Sequence, residues 1–221
     1  MRSSLACLAL AGLLVAGSAL AQEADVVAAH VRARSLQVDL PAGDVRVVGR
    51  DGDAGITLPP GDALLLTYVD DRAILTGAVP DGESITVYVP RDMPVSIELR
   101  NGAATVVGTY GDIKADIDVG ALTIDGARGA FTGRVGVGTL SAAVFLNDAS
   151  SFHVDEGDLS VSVLDHVAFP LTLAVGEGDI ELTVADDYPA LLDAQTGDGA
   201  VSTLARVEAE PVAQPESGRG T

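Results

Sequence analysis

Between Val95 and Leu204 one pattern of apolar and polar positions recurs. Six times a glycine is followed by an alternating run: Gly102-Ala-Ala-Thr-Val, Gly120-Ala-Leu-Thr-Ile, Gly138-Thr-Leu-Ser-Ala, Gly157-Asp-Leu-Ser-Val, Gly178-Asp-Ile-Glu-Leu and Gly199-Ala-Val-Ser-Thr. These glycines are 18, 18, 19, 21 and 21 residues apart, and a seventh copy, Gly43-Asp-Val-Arg-Val, stands alone upstream. The residues ahead of each glycine alternate too. Three positions before it stand Leu99, Ile117, Val135, Val154 and Val175, with Thr196 the exception; five before it stand Ile97, Ala115, Gly133, Phe152, Leu173 and Ala194. The positions between are mostly polar, among them Glu98, Asp116, Asp118 and His153. A period of two is the mark of a strand with one buried face.

Behind the glycine the apolar residues fall at plus two and plus four, as in Leu122 and Ile124 or Leu159 and Val161. From minus three to plus two is an odd step, so an unbroken strand would turn one apolar set outward. The chain must bend or bulge at the glycine, which reaches positive φ without a Cβ penalty. Each unit therefore reads as strand, glycine corner, strand and turn. The predicted fold is all-β: a parallel β-helix or β-solenoid with coils of 18–21 residues and corners at Gly43, Gly102, Gly120, Gly138, Gly157, Gly178 and Gly199. A left-handed hexapeptide helix would need a six-residue sub-repeat, which is not visible. An antiparallel sandwich of short strands is the stronger rival, although its hairpins would not usually space glycines so evenly.

The rest of the chain divides around this block. Residues 1–21 read as a secretory signal peptide, with Arg2, an apolar stretch and Ala19-Leu20-Ala21 before Gln22. Residues 22–34 read as a lead-in, weakly helical in pattern. Residues 35–94 read as an N-terminal β region, with the strand–corner–strand unit of Ser35 to Gly49 and further strands at 63–68, 73–75 and 84–89. It is expected to pack on the first coil and cover an open end of the solenoid (95–206), since an uncovered end is an aggregating edge. Residues 207–221 have no periodicity and two prolines, which reads as a disordered tail.

Charge narrows the partners. Of 221 residues, 32 are acidic and 13 are lysine or arginine; loss of a leader carrying Arg2 leaves 12 bases and a net charge of −20. Such a balance argues against nucleic acid and anionic lipid. The only cysteine, Cys7, lies in the leader, and no later apolar run is long enough to span a bilayer, so no membrane insertion is expected after cleavage. Export places the product in the periplasm or outside the cell.

Little reactive chemistry stands out. His30, His153 and His166 lack metal-ligand spacing, and no Gly-x-Ser-x-Gly elbow is present. The one constellation is acidic: Glu156, Asp158, Glu177, Asp179 and Asp198 flank successive corners. In a solenoid they would stack about 4.8 Å apart and repel one another, and a calcium ion would relieve that repulsion. The competing reading is a solvated acidic stripe, favoured because the Gly-Gly-x-Gly-x-Asp nonapeptide of calcium-binding β-rolls is absent.

Leu40-Pro-Ala-Gly-Asp-Val-Arg-Val47, then Ile85-Thr-Val-Tyr-Val-Pro90, then the repeated Gly-Asp-Leu and Gly-Asp-Ile strands resemble the bacterial putative-adhesin family of exported envelope β-repeat proteins. The similarity spans about residues 35–204 and departs from the pattern at Asn101-Gly102, Val119-Gly120 and Val137-Gly138, where the Gly-Asp pair is missing. The resemblance implies a right-handed parallel β-helix and an extracytoplasmic life, and it supplies no catalytic residues. The expected function is non-catalytic: adhesin-like binding or scaffolding, with an envelope glycan or envelope protein as partner. The alternative is a carbohydrate-active β-helix enzyme acting on envelope polysaccharide, which would need convergent acids and aromatic platforms, whereas aromatics make up 4% of the chain.

Overall fold

The computed structural model describes residues 27–29, 33–52, 55–58, 64–79, 83–165, 169–184 and 192–203. The expected leader and tail, with His30 and His166, lie outside the described residues. The described chain is strand and turn throughout: β1 (Val27–Ala29), β2 (Ser35–Leu40), β3 (Asp44–Arg50), β4 (Ile56–Leu58), β5 (Leu64–Val69), β6 (Arg72–Gly77), β7 (Ser84–Pro90), β8 (Val95–Val107), β9 (Ile113–Gly129), β10 (Phe131–Leu146), β11 (Ser150–Val163), β12 (Leu171–Glu177), β13 (Ile180–Thr183), β14 (Leu192–Asp198) and β15 (Val201–Thr203).

From β8 onward each coil pairs in parallel with the next, and glycine lies over glycine: Gly102 on Gly120, Gly120 on Gly138, Gly138 on Gly157. The architecture is a parallel β-solenoid. The phase change needed at the corner is visible in the burial of β8, where Leu99 and Ala104 are both buried and Arg100 and Asn101 are exposed between them. Gly138 shows why the corner requires glycine. Its φ is +144°, and a Cβ there would sit 1.7 Å from the Gly120 carbonyl oxygen.

The order of layers differs from chain order. β2 and β3 form a coil of their own, which lies in parallel against β8. On the other side of that coil stand β6, parallel to β2, and β7, parallel to β3. β6 and β7 thus occupy a layer outside residues 35–50, although they come later in the chain. The outer face of this layer is met by antiparallel strands, β5 on β6 and β4 on β7, with β1 on β4. The cap expected over residues 35–94 is therefore divided: β2, β3, β6 and β7 continue the parallel stack, and the antiparallel strands close it. Residues 27–29, where a helix or lead-in was expected, are a strand.

The core is a set of stacked apolar columns. Leu99, Ile117, Val135, Val154 and Val175 form one, and Leu122, Leu140, Leu159 and Ile180 another; all are buried. Volumes compensate between coils. Phe152 occupies the space left by Gly133, whose ideal Cβ would lie 2.9 Å from the Phe152 ring, and Phe131 stacks beside it at 6.2 Å between centroids. Ser150 enters the same interior and is buried, yet satisfied: its hydroxyl accepts from the Phe131 N–H and donates to the Asp148 carbonyl.

Candidate binding surface

Because the coils are in register, side chains on the outer faces form columns, each step one strand spacing of about 4.8 Å. On the strand before the corner one column runs Ser96, Lys114, Thr132, Ser151, Thr172; beside it runs Asp39, Glu98, Asp116, Arg134, His153. On the strand after the corner the outward column is Thr105, Thr123, Ser141, Ser160. A depression of about 560 Å³ lies on the first face, lined by Gln37, Arg72, Ser96, Glu98, Lys114 and Thr132 among others. A second, of about 470 Å³, lies on the other face and includes Thr139, Ser141, Ser160 and Glu181.

The acidic residues divide into two kinds. Glu156, Glu177 and Asp198 stack directly in register and are exposed. Asp158 and Asp179 turn along the solenoid axis instead: Asp158 Oδ1 accepts the Asp179 N–H at 3.2 Å, and Asp179 Oδ1 accepts the Ala200 N–H at 2.9 Å. Asp44 does the same for Ala103, at 2.9 Å. The aspartate after a corner glycine thus caps a backbone donor of the following coil, a charge-assisted bond that explains the Gly-Asp pair without a metal. Among the described residues no three acidic, histidine or cysteine side chains converge as a metal ion would need.

A cluster that the sequence did not announce joins three outward residues. Arg134 donates to Asp155 at 2.8 Å, and His153 Nε2 lies 2.6 Å from the same carboxylate. The hydrogen bond with His153 is the main cause holding the Asp155 carboxyl below the usual carboxylate range; slight burial opposes it, and Arg134 adds to it. Positions 153 and 155 lie on one face of a strand, so their partnership was available from the two-residue step alone. Arg134 was not, because it belongs to the preceding coil.

A second unannounced feature lines the edge where the strands after the corner end. Arg50 lies 3.3 Å over the Tyr88 ring, Arg91 5.1 Å over Tyr110, and Arg128 5.2 Å over Phe145. The backbone places them on one edge: Arg91 N–H donates to Arg50, Tyr110 N–H to Arg91, Arg128 N–H to Thr109, and Arg128 pairs with Phe145. Arg91 is further held by Asp51, 3.2 Å away, and by the Tyr110 hydroxyl, to which it donates at 2.8 Å. The signal in the sequence was an arginine or aromatic seven or eight residues beyond a corner glycine, at Arg50, Tyr110, Arg128 and Phe145.

No protein-family model matches the chain, and no curated protein does. Two solved structures are similar to it. One is a putative cell adhesion protein from Clostridium sporogenes, 11% identical, with 79% of this chain and 94% of that one covered and a TM-score of 0.38. The other is a putative adhesin from Bacteroides fragilis, 14% identical, with the same coverages and a TM-score of 0.41.

Proposed function

We propose that the chain is a non-catalytic exported protein of the cell envelope that binds or scaffolds, in an adhesin-like manner, through its solenoid faces. The observation that carries this reading is the ladder of like side chains: short hydroxyl residues recur at one strand spacing at Thr105, Thr123, Ser141 and Ser160 on one face, and on the other at Thr132, Ser151 and Thr172, with Lys114 between Thr132 and Ser96. A ligand that is itself a repeating polymer meets the same chemistry at each coil, and many small contacts add up once the first is made. An envelope glycan has that character. The export pattern of residues 1–21 supports a periplasmic or extracellular site of action, and the net charge supports a partner other than nucleic acid.

The test is retention of the protein on purified peptidoglycan sacculi, outer-membrane polysaccharide and whole cells. Saturable retention that soluble glycan competes away, and that Ser141→Glu with Ser160→Glu weakens about tenfold, supports the reading. No retention on any of the three across salt conditions overturns it. Release of reducing or unsaturated sugar ends by the pure protein would replace it with the enzyme.

A further inference from the structure

The two ends of the stack are built differently. At one end antiparallel strands β4, β5 and β1 lie over the layer of β6 and β7. At the other, among the described residues, β14 pairs only with β12 and β15 only with β13. The repeat shows which backbone groups this leaves. In the preceding coil the Gly178 N–H donates to the Asp198 carbonyl at 2.8 Å and the Ile180 N–H to the Ala200 carbonyl at 2.9 Å. Their equivalents in the last coil are Gly199 and Val201, whose N–H groups point to where a further coil would lie. The aspartate ladder stops here as well: Asp179 caps Ala200, and Ala200 has no carboxylate to pass on. Over the core the last coil carries Ala194 and Thr196 in place of Leu173 and Val175 before the corner, and keeps an apolar residue, Val201, over Ile180 after it. A strand laid on this edge would gain main-chain hydrogen bonds more than apolar burial.

Charge singles out the occupant. From Val135 to Thr203 the chain has 12 acidic residues and no lysine or arginine, whereas every described base lies at Arg134 or before. Asp193 and Asp198 lie near the two ends of β14 itself, and Asp198 ends the exposed column begun by Glu156 and Glu177. A second copy meeting end to end would bring two such acidic ends together. The chain's own residues 204–221 bring Glu208, Glu210 and Glu216 against Arg206 and Arg219, a net negative segment, and two prolines that lack an N–H. A basic extended segment extends the ladder and neutralises the column at once.

We propose that the β14–β15 edge takes an extended, lysine- or arginine-bearing segment of a partner protein as an added strand, with its basic side chains against Asp193 and Asp198. This is independent of the reading of the solenoid faces.

The test is amide hydrogen exchange on the full chain with a seven-residue peptide alternating lysine and valine, beside its glutamate counterpart and a version with proline at alternate positions. The expected result is slowing of exchange at Gly199 and Val201 by about tenfold or more with the lysine peptide alone, fading as salt shortens the Debye length from about 10 Å to about 3 Å. Asp193→Lys with Asp198→Lys abolishes the slowing and leaves the melting temperature unchanged. Equal slowing by the proline peptide reduces the edge to a charge patch and overturns strand addition. Slowing by the glutamate peptide, or by none, overturns the proposal outright. Amides already slow without peptide mean that the chain's own segment fills the edge, and that too overturns it.

Discussion

At the scale of single residues, backbone geometry decides more than side-chain chemistry. Gly138 combines a left-handed φ with a backbone oxygen where its Cβ would be, so neither strain nor contact can relax without moving two coils. Gly138→Ala should cost about 3 kcal/mol in urea denaturation. Gly108→Ala should cost only about 1 kcal/mol, because Gly108 sits at φ +62° with nothing within 4 Å. Asp155 gives a prediction in pH. Its folded carboxyl is held below the ordinary value of 3.8, so its contribution is complete above that value and is lost as pH falls through the folded one. The group is partly exposed and solvent screens it, so the effect is small. The urea midpoints of the native chain and Asp155→Asn should differ at pH 6 and draw together as pH falls below 3.8; a constant gap would contradict the assigned partnership with His153 and Arg134.

At the scale of the strand, each coil depends on its immediate neighbours. Ile117 in β9 is fully buried between Leu99 and Val135. Ile117→Ala should cost about 2–5 kcal/mol, and hydrogen exchange should quicken in β8, β9 and β10 before it does in β14. Uniform quickening from β2 to β14 would mean that the stack unfolds as one unit. The strands and corners were legible because period-two alternation is local and the odd step across each glycine demands a bend. The Gly-Asp pair was legible as a motif, but its backbone partners were not: sequence shows a column of like charges, whereas the structure hands Asp158 and Asp179 a backbone donor each. The arginine–aromatic edge escaped notice because its partners, such as Arg128 and Phe145, lie on different coils and meet only through the register.

At the scale of the whole molecule, the layer order is what sequence could not give. Every coil carries the same inward and outward pattern, so any coil can stack on any other as far as periodicity goes. β6, in a hairpin with β5, and β7 lie on the far side of the 35–50 coil from β8. That order fixes which end of the solenoid antiparallel strands close and which end is acidic. One outward column reads Thr76, Asp39, Glu98, Asp116, Arg134, His153, Ala174, Gln195. Asp39 is six steps from Gln195 and Thr76 is seven, although Thr76 is the nearer in sequence. Paired nitroxide labels on a Cys7→Ser background, measured by pulsed electron resonance, test this directly. The account predicts about 29 Å for Asp39→Cys with Gln195→Cys and about 34 Å for Thr76→Cys with Gln195→Cys. A Thr76 pair equal to or shorter than the Asp39 pair would contradict it.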